Sequence, residues 1–189
     1  MAVFLPASFP PNEFWDFSTR LYARGRVGEA CLALQNRLGL DVNVLLFCCW
    51  VATSGRGGLR DGELAQALDA VESWSENVVR PLRALRQHLK GDIGPAPRTH
   101  ADDLRRVIVE CELHAEHILQ LTLHGSIPRP GTGTMDRRAQ ARAATDNIHL
   151  YLAALGLAPA AADRDALAEI LINAFPELPA VEVGELAAG

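Results

Sequence analysis

Apolar residues recur three and four positions apart along most of the chain, the period of helices that turn one face to a core. NEFWDFSTRLYAR sets Phe14, Phe17, Leu21 and Tyr22 at this spacing, with Asn12 placed to cap the first turn. VGEACLALQNRLG, from Val27, predicts a second short helix that Gly39 closes in the left-handed conformation. Asp41 can cap the next segment, DVNVLLFCCWVATSG. It is apolar on nearly every side from Val44 to Ala52 and is expected to be the central, most buried helix.

Beyond the glycine-rich turn SGRGGLRDG, Leu64, Leu68, Val71, Trp74, Val78, Leu82, Leu85 and Leu89 draw one long helix starting near Asp61. Pro81 lies inside it, lacks a backbone donor and clashes with the preceding turn, so a kink or a junction of two helices is expected there. DIGPAPR reads as a loop, and Thr99 with Asp102 resembles a capping box opening a helix that runs to Gly125. SIPRPGTGT is dense in Pro and Gly and predicts a mobile linker. Helices from about Met135 to Leu155 and from about Asp163 to Phe175 follow, and the acidic tail PELPAVEVGELAAG is expected to be disordered.

The pattern thus predicts an all-α fold, a single-domain helical bundle of about six or seven helices. Residues 1–125 form its helical core and 126–134 a Pro/Gly linker. Residues 135–176 form a C-terminal helix pair packing on the core or on a partner, and 177–189 the tail.

Composition adds little to this picture. Apolar residues make up 49% of 189 residues and charged ones 22%, the balance of an ordinary folded domain. A formal net charge of −5 gives no general attraction to nucleic acid or to an anionic membrane. No apolar run approaches a membrane span, and the opening MAVFLPASFPP lacks the cationic start of a signal peptide. Cys31, Cys48, Cys49 and Cys111 lack the paired spacing of a zinc ribbon or a disulfide framework, which reads as reduced thiols in the cytoplasm.

Candidate chemistry centres on VIVECELHAEHILQLTLHG. Glu110, His114, His117 and His124 align on one side of an ideal helix, and histidines three or four apart beside a carboxylate are a way for one helix to hold zinc or iron. Leu104, Val107, Ile108, Cys111, Ala115, Ile118 and Leu119 mark the expected core side, about 90° away. The histidines would then flank the core, with Glu110 pairing with His114 at its rim. Glu110, His114 and His117 remain the alternative metal site, although no second E-x-x-H half completes a di-iron bundle. Arg80, Arg83 and Arg86 form a possible phosphate- or RNA-reading stripe, set against their reading as a solvated helix end that suits the helix dipole. There is no phosphate loop, dinucleotide fingerprint or nucleophile elbow, so the sequence leans away from an enzyme and implies no cofactor.

The stretch EFWDFSTRLYARGRVGEACLALQNRLGLDVNVLLFCCW resembles a family of small conserved proteobacterial proteins of uncharacterised function. Its members share F-W-x-F-S-x-x-L-Y, E-A-C-L-x-L-Q and G-L-D-V-N-x-L-L-F-C, and the likeness continues through VVRPLRALR to about Leu123. The resemblance implies a helical cytoplasmic protein and supplies no reaction. It draws attention to Gln35, Asp41 and Asn43, and to Glu112 and Glu116, with a basic residue usual where His117 stands. The function expected is a non-catalytic protein-interaction or regulatory module that binds a protein partner or self-associates. A metal-binding protein and a phosphate or RNA binder are the alternatives.

Overall fold

A computed structural model describes residues 9–133 and 136–188. The opening through Ser8, the last linker residue Thr134 and the expected helix start at Met135 lie outside the described residues. Those described form helices and connecting turns with no strand.

Local signals set the first half of the chain. Asn12 caps α1 (Glu13–Tyr22), its side-chain oxygen accepting from the N–H of Phe14 at 3.0 Å and of Trp15 at 3.4 Å. α2 (Val27–Leu38) ends at Gly39, whose φ of 71° lets its N–H reach back to the Gln35 carbonyl. Asp41 caps α3 (Val42–Val51) by accepting from the Asn43 N–H at 2.8 Å. Every residue of α3 from Asn43 to Val51 is buried, as expected of a helix with no polar side. α3 is the axis of the fold, with α1, α6 and α7 packed against it.

α4 (Glu63–Trp74) runs into α5 (Arg80–His88) without a break. Between them, from Ser75 to Val79, the ladder widens so that the Arg80 N–H reaches the Ser75 carbonyl five residues back. Pro81 sits in the first turn of α5. The widened turn absorbs the missing donor and the ring clash, so the irregularity falls one turn before the proline. α6 spans Arg98–Ser126 and packs on both α4 and α5. No Thr99 capping box forms: Pro97 occupies the cap position and the helix begins at Arg98.

Three expectations are corrected here. With α4 and α5 taken as the one interrupted helix expected, α7 (Arg137–Ala154), α8 (Ala161–Ala174) and α9 (Ala180–Ala188) bring the described helices to one more than seven, because α9 lies in the supposedly disordered tail. Val183 and Ala187, four apart, are buried as α9 packs on α8 and α7, and this outweighs the acidic residues beside them. The Pro/Gly segment after α6 is held rather than loose. Arg129 donates to both carboxylate oxygens of Glu63 at 2.8 and 3.0 Å, and to the carbonyls of Arg56 and Gly58. The Gly133 N–H donates to the Gly55 carbonyl at 2.7 Å. A Cβ on Gly131 would collide with the Ser54 carbonyl oxygen, and one on Gly133 with that of Gly55. These glycines serve close approach of two backbones rather than flexibility.

α7 lies along α3, and α8 along α2, so the C-terminal helices complete one core. Arg129→Ala is expected to cost about 1–2 kcal/mol, the scale of a charged hydrogen-bonding group removed from a partly buried site. Limited digestion with proteinase K should then cut the variant first within residues 126–133. An unchanged cleavage pattern would show that the glycine contacts hold the segment alone.

Candidate functional site

A cleft of about 520 Å³ opens between α1, α2, α3, α5 and α6. Its floor is a chain of buried side chains. The Ser18 hydroxyl donates to Gln120 Oε1 at 2.7 Å, and Gln120 Nε2 donates to Asn43 Oδ1 at 2.7 Å. All three are at most 5% exposed. Asn43 owes its place to Asp41, whose cap fixes the first turn of α3 and turns that residue toward α6. Trp15, Tyr22, Val42 and Leu46 add apolar surface, and Leu32 and Leu113 stand at the rim 48% and 50% exposed.

One wall is charged. Arg83 and Arg86, one turn apart on α5, face Glu112 and Glu116, one turn apart on α6. The Arg83 guanidinium donates to Glu112 Oε1 at 3.1 Å, to Glu116 Oε1 at 2.6 Å and to Gln35 Oε1 at 3.2 Å. Arg86 donates to both oxygens of Glu112, through Nη2 at 3.2 Å and through Nε. The two carboxyls are driven apart. Burial would raise Glu112, but the guanidiniums of Arg86 and Arg83 outweigh it and hold its carboxyl below the usual carboxylate value. Burial raises Glu116, reinforced by the charges of Glu112 and Asp41, and Arg83 does not fully offset it.

The residues of the alternative metal site do not converge. Glu110 is exposed on the outer side of α6. His117 is buried, its ring stacked on Trp15 at 4.0 Å and on Phe9 at 4.0 Å, while His114 meets the edge of the Phe9 ring at 5.4 Å. Burial lowers the His117 pKa, and its Nε2 has no hydrogen-bond partner among the described residues. Among the described residues no three His, Cys, Asp or Glu side chains are grouped to hold a metal ion. His124 lies against Trp50, over which the Arg56 guanidinium also stacks at 4.5 Å.

The arginine stripe is likewise rearranged. Arg80 pairs with Glu76, and Arg83 and Arg86 with the α6 glutamates, so their charge is met within the protein. The core side of α6 also differs from the sequence reading. Glu112, Ala115, Leu119, Gln120 and Leu123 point inward, whereas Leu104, Val107 and Ile118 are 48%, 46% and 37% exposed. Ser18, Trp15 and Gln120 were not among the expected site residues. The signal that could have found the wall is the pairing of R-x-x-R on one helix with E-x-x-x-E on the next, each one turn apart.

No helix among the described residues is long and apolar enough to cross a membrane. Comparison with curated proteins and with solved structures finds no match. A family described as a protein of unknown function (DUF2390) matches residues 13–123, a span that contains every residue lining the cleft, and the chain belongs to that family.

Proposed function

We propose that the protein is a non-catalytic interaction module whose cleft receives a segment of a partner protein. The observation that carries this reading is the rim. Leu32 and Leu113 are about half exposed on either side of a hydrogen-bonding floor, an arrangement that gains from being covered. The carboxyl pair has the split titration that acid–base enzymes use, but each carboxyl is engaged by an arginine. Free buried thiols support a reducing, cytoplasmic setting: burial pushes Cys31 and Cys48 up to about 12, far from a reactive thiolate.

A photo-activated cross-linking amino acid placed at Leu32 or at Leu113, in cells that naturally make the protein, tests this. Leu150, 43% exposed on α7 and away from the cleft, is the control. Discrete protein adducts are expected from positions 32 and 113 and not from 150. No adducts, or equal labelling at all three, would overturn the reading.

A further inference from the structure

The cleft's hydrogen-bonding capacity is lopsided. Gln35 Oε1 accepts from Arg83, Asn43 Oδ1 from Gln120, and Gln120 Oε1 from Ser18, so these three carboxamide oxygens are occupied, while the other two amides of the lining, Asn36 and Gln87, are exposed at its edge. The NH2 groups of the three keep hydrogens to spare. Asn43 Nδ2 and Gln35 Nε2 have no acceptor among the described residues, and Gln120 Nε2 uses one hydrogen of its two.

The arginines add to this excess. Arg86 Nη1 donates to nothing among the described residues, and Nη1 and Nη2 of Arg83 each have one acceptor. On the acceptor side, both oxygens of Glu112 are taken, and among the described residues Glu116 Oε2 is the one carboxylate oxygen of this pair left over. Asn43 is 5% exposed and lines the cleft, and its Nδ2 is not among the fully buried unpartnered atoms of the described residues, so its spare N–H is open to the cleft. It stands in the first turn of α3, where the helix dipole also favours negative charge.

We infer that the cleft recognises a free carboxylate borne on an apolar group, the C-terminal residue of a partner polypeptide. The carboxylate takes the spare N–H donors of the floor and of Arg86, and the last side chain lies against Trp15, Leu46 and Leu113. Glu116, raised by burial, can take up a proton and so lower its repulsion of an incoming anion. This inference rests on the cleft being the binding site.

Three probes test it by NMR titration of the whole chain: N-acetyl-Ala-Ala-Leu with a free carboxylate, the same peptide as its C-terminal amide, and hexanoate. The free acid is expected to shift the side-chain amide signals of Asn43 and Gln120 and to bind at least tenfold more tightly than the amide. Asn43→Asp keeps the acceptor for Gln120 but replaces the spare N–H with an anionic oxygen. It should abolish that preference while circular dichroism shows the helical fold intact. Equal or better binding of the amide overturns the inference and points to a floor whose amide chain runs the other way. Hexanoate binding as tightly as the acid peptide overturns the polypeptide source in favour of a small organic acid. If no probe binds although Leu32 and Leu113 cross-link, the carboxylate inference fails and the docking reading stands.

Discussion

Glu112→Ala is expected to lower the free energy of unfolding by about 3 kcal/mol, the cost typical of removing one partner from a buried ion pair. The Glu112 side chain is 8% exposed, and its two oxygens receive three hydrogen bonds from Arg83 and Arg86. Removing the carboxylate leaves Arg86, 21% exposed, with no acceptor among the described residues. It also sets two like charges one turn apart without the anion between them.

Glu116→Gln should behave in the opposite sense. Gln retains an oxygen for Arg83 and removes a charge that burial disfavours. The pH dependence separates the two residues. Glu112 has a folded-state pKa below its ordinary value of 4.5, so its stabilisation is complete above 4.5 and is lost as pH falls through the folded value. Glu116 has a folded-state pKa above 4.5, so the folded state binds its proton more readily and gains stability as pH falls toward 4.5. Urea unfolding at pH 7 and pH 5 checks both. Glu116→Gln should exceed the wild type at pH 7 by a margin that shrinks at pH 5, whereas Glu112→Ala should be weaker at both. A Glu112→Ala variant as stable as the wild type would mean that the cluster is a solvated surface contact.

Whether a feature could be read from the sequence depended on the range of the interaction behind it. The caps at Asn12 and Asp41 and the stop at Gly39 act over two to four residues and were legible. So was α3, because a helix with no polar side must be enclosed. The inner face of α6 was legible at Ala115 and Leu119 but not in its polar members. It buries Glu112 and Gln120, whose compensation comes from Arg83, 29 residues earlier, and from Ser18, 102 residues earlier. A count of apolar positions therefore rotates the helix toward Leu104 and Val107, which stand exposed.

The linker misled for a related reason. Its glycines signal loose chain when read locally, and tight backbone contact only once Ser54 and Gly55 are known to lie opposite. For the cleft, Gln35, Asn43, Arg83, Arg86, Glu112 and Glu116 all drew notice singly, but their convergence depends on how five helices pack.

The C-terminal helices should be equally indispensable to the core, and Asn147 is where that can be tested most sharply: Asn147→Ala is expected to cost about 3 kcal/mol, because one buried and two partly buried backbone groups lose a partner at once. Its Oδ1 accepts from the Leu59 N–H at 2.7 Å, and its Nδ2 donates to the carbonyls of Cys48 at 3.0 Å and Gly57 at 3.4 Å. Asn147 is 2% exposed, so water cannot readily replace these bonds. One side chain of α7 thereby joins the last turns of α3 to the glycine turn that Arg129 grips from its other side. α7 lies outside the family-matched span of 13–123, yet it covers α3. The loss should therefore appear as one cooperative transition at lower denaturant, with the amides of α3 exchanging faster as a set and not the Leu59 amide alone. Leu150→Ala, three residues on and 43% exposed, should change stability little. If instead Leu59 alone exchanged faster while global stability held, α7 would be an accessory to a core that residues 13–123 complete without it.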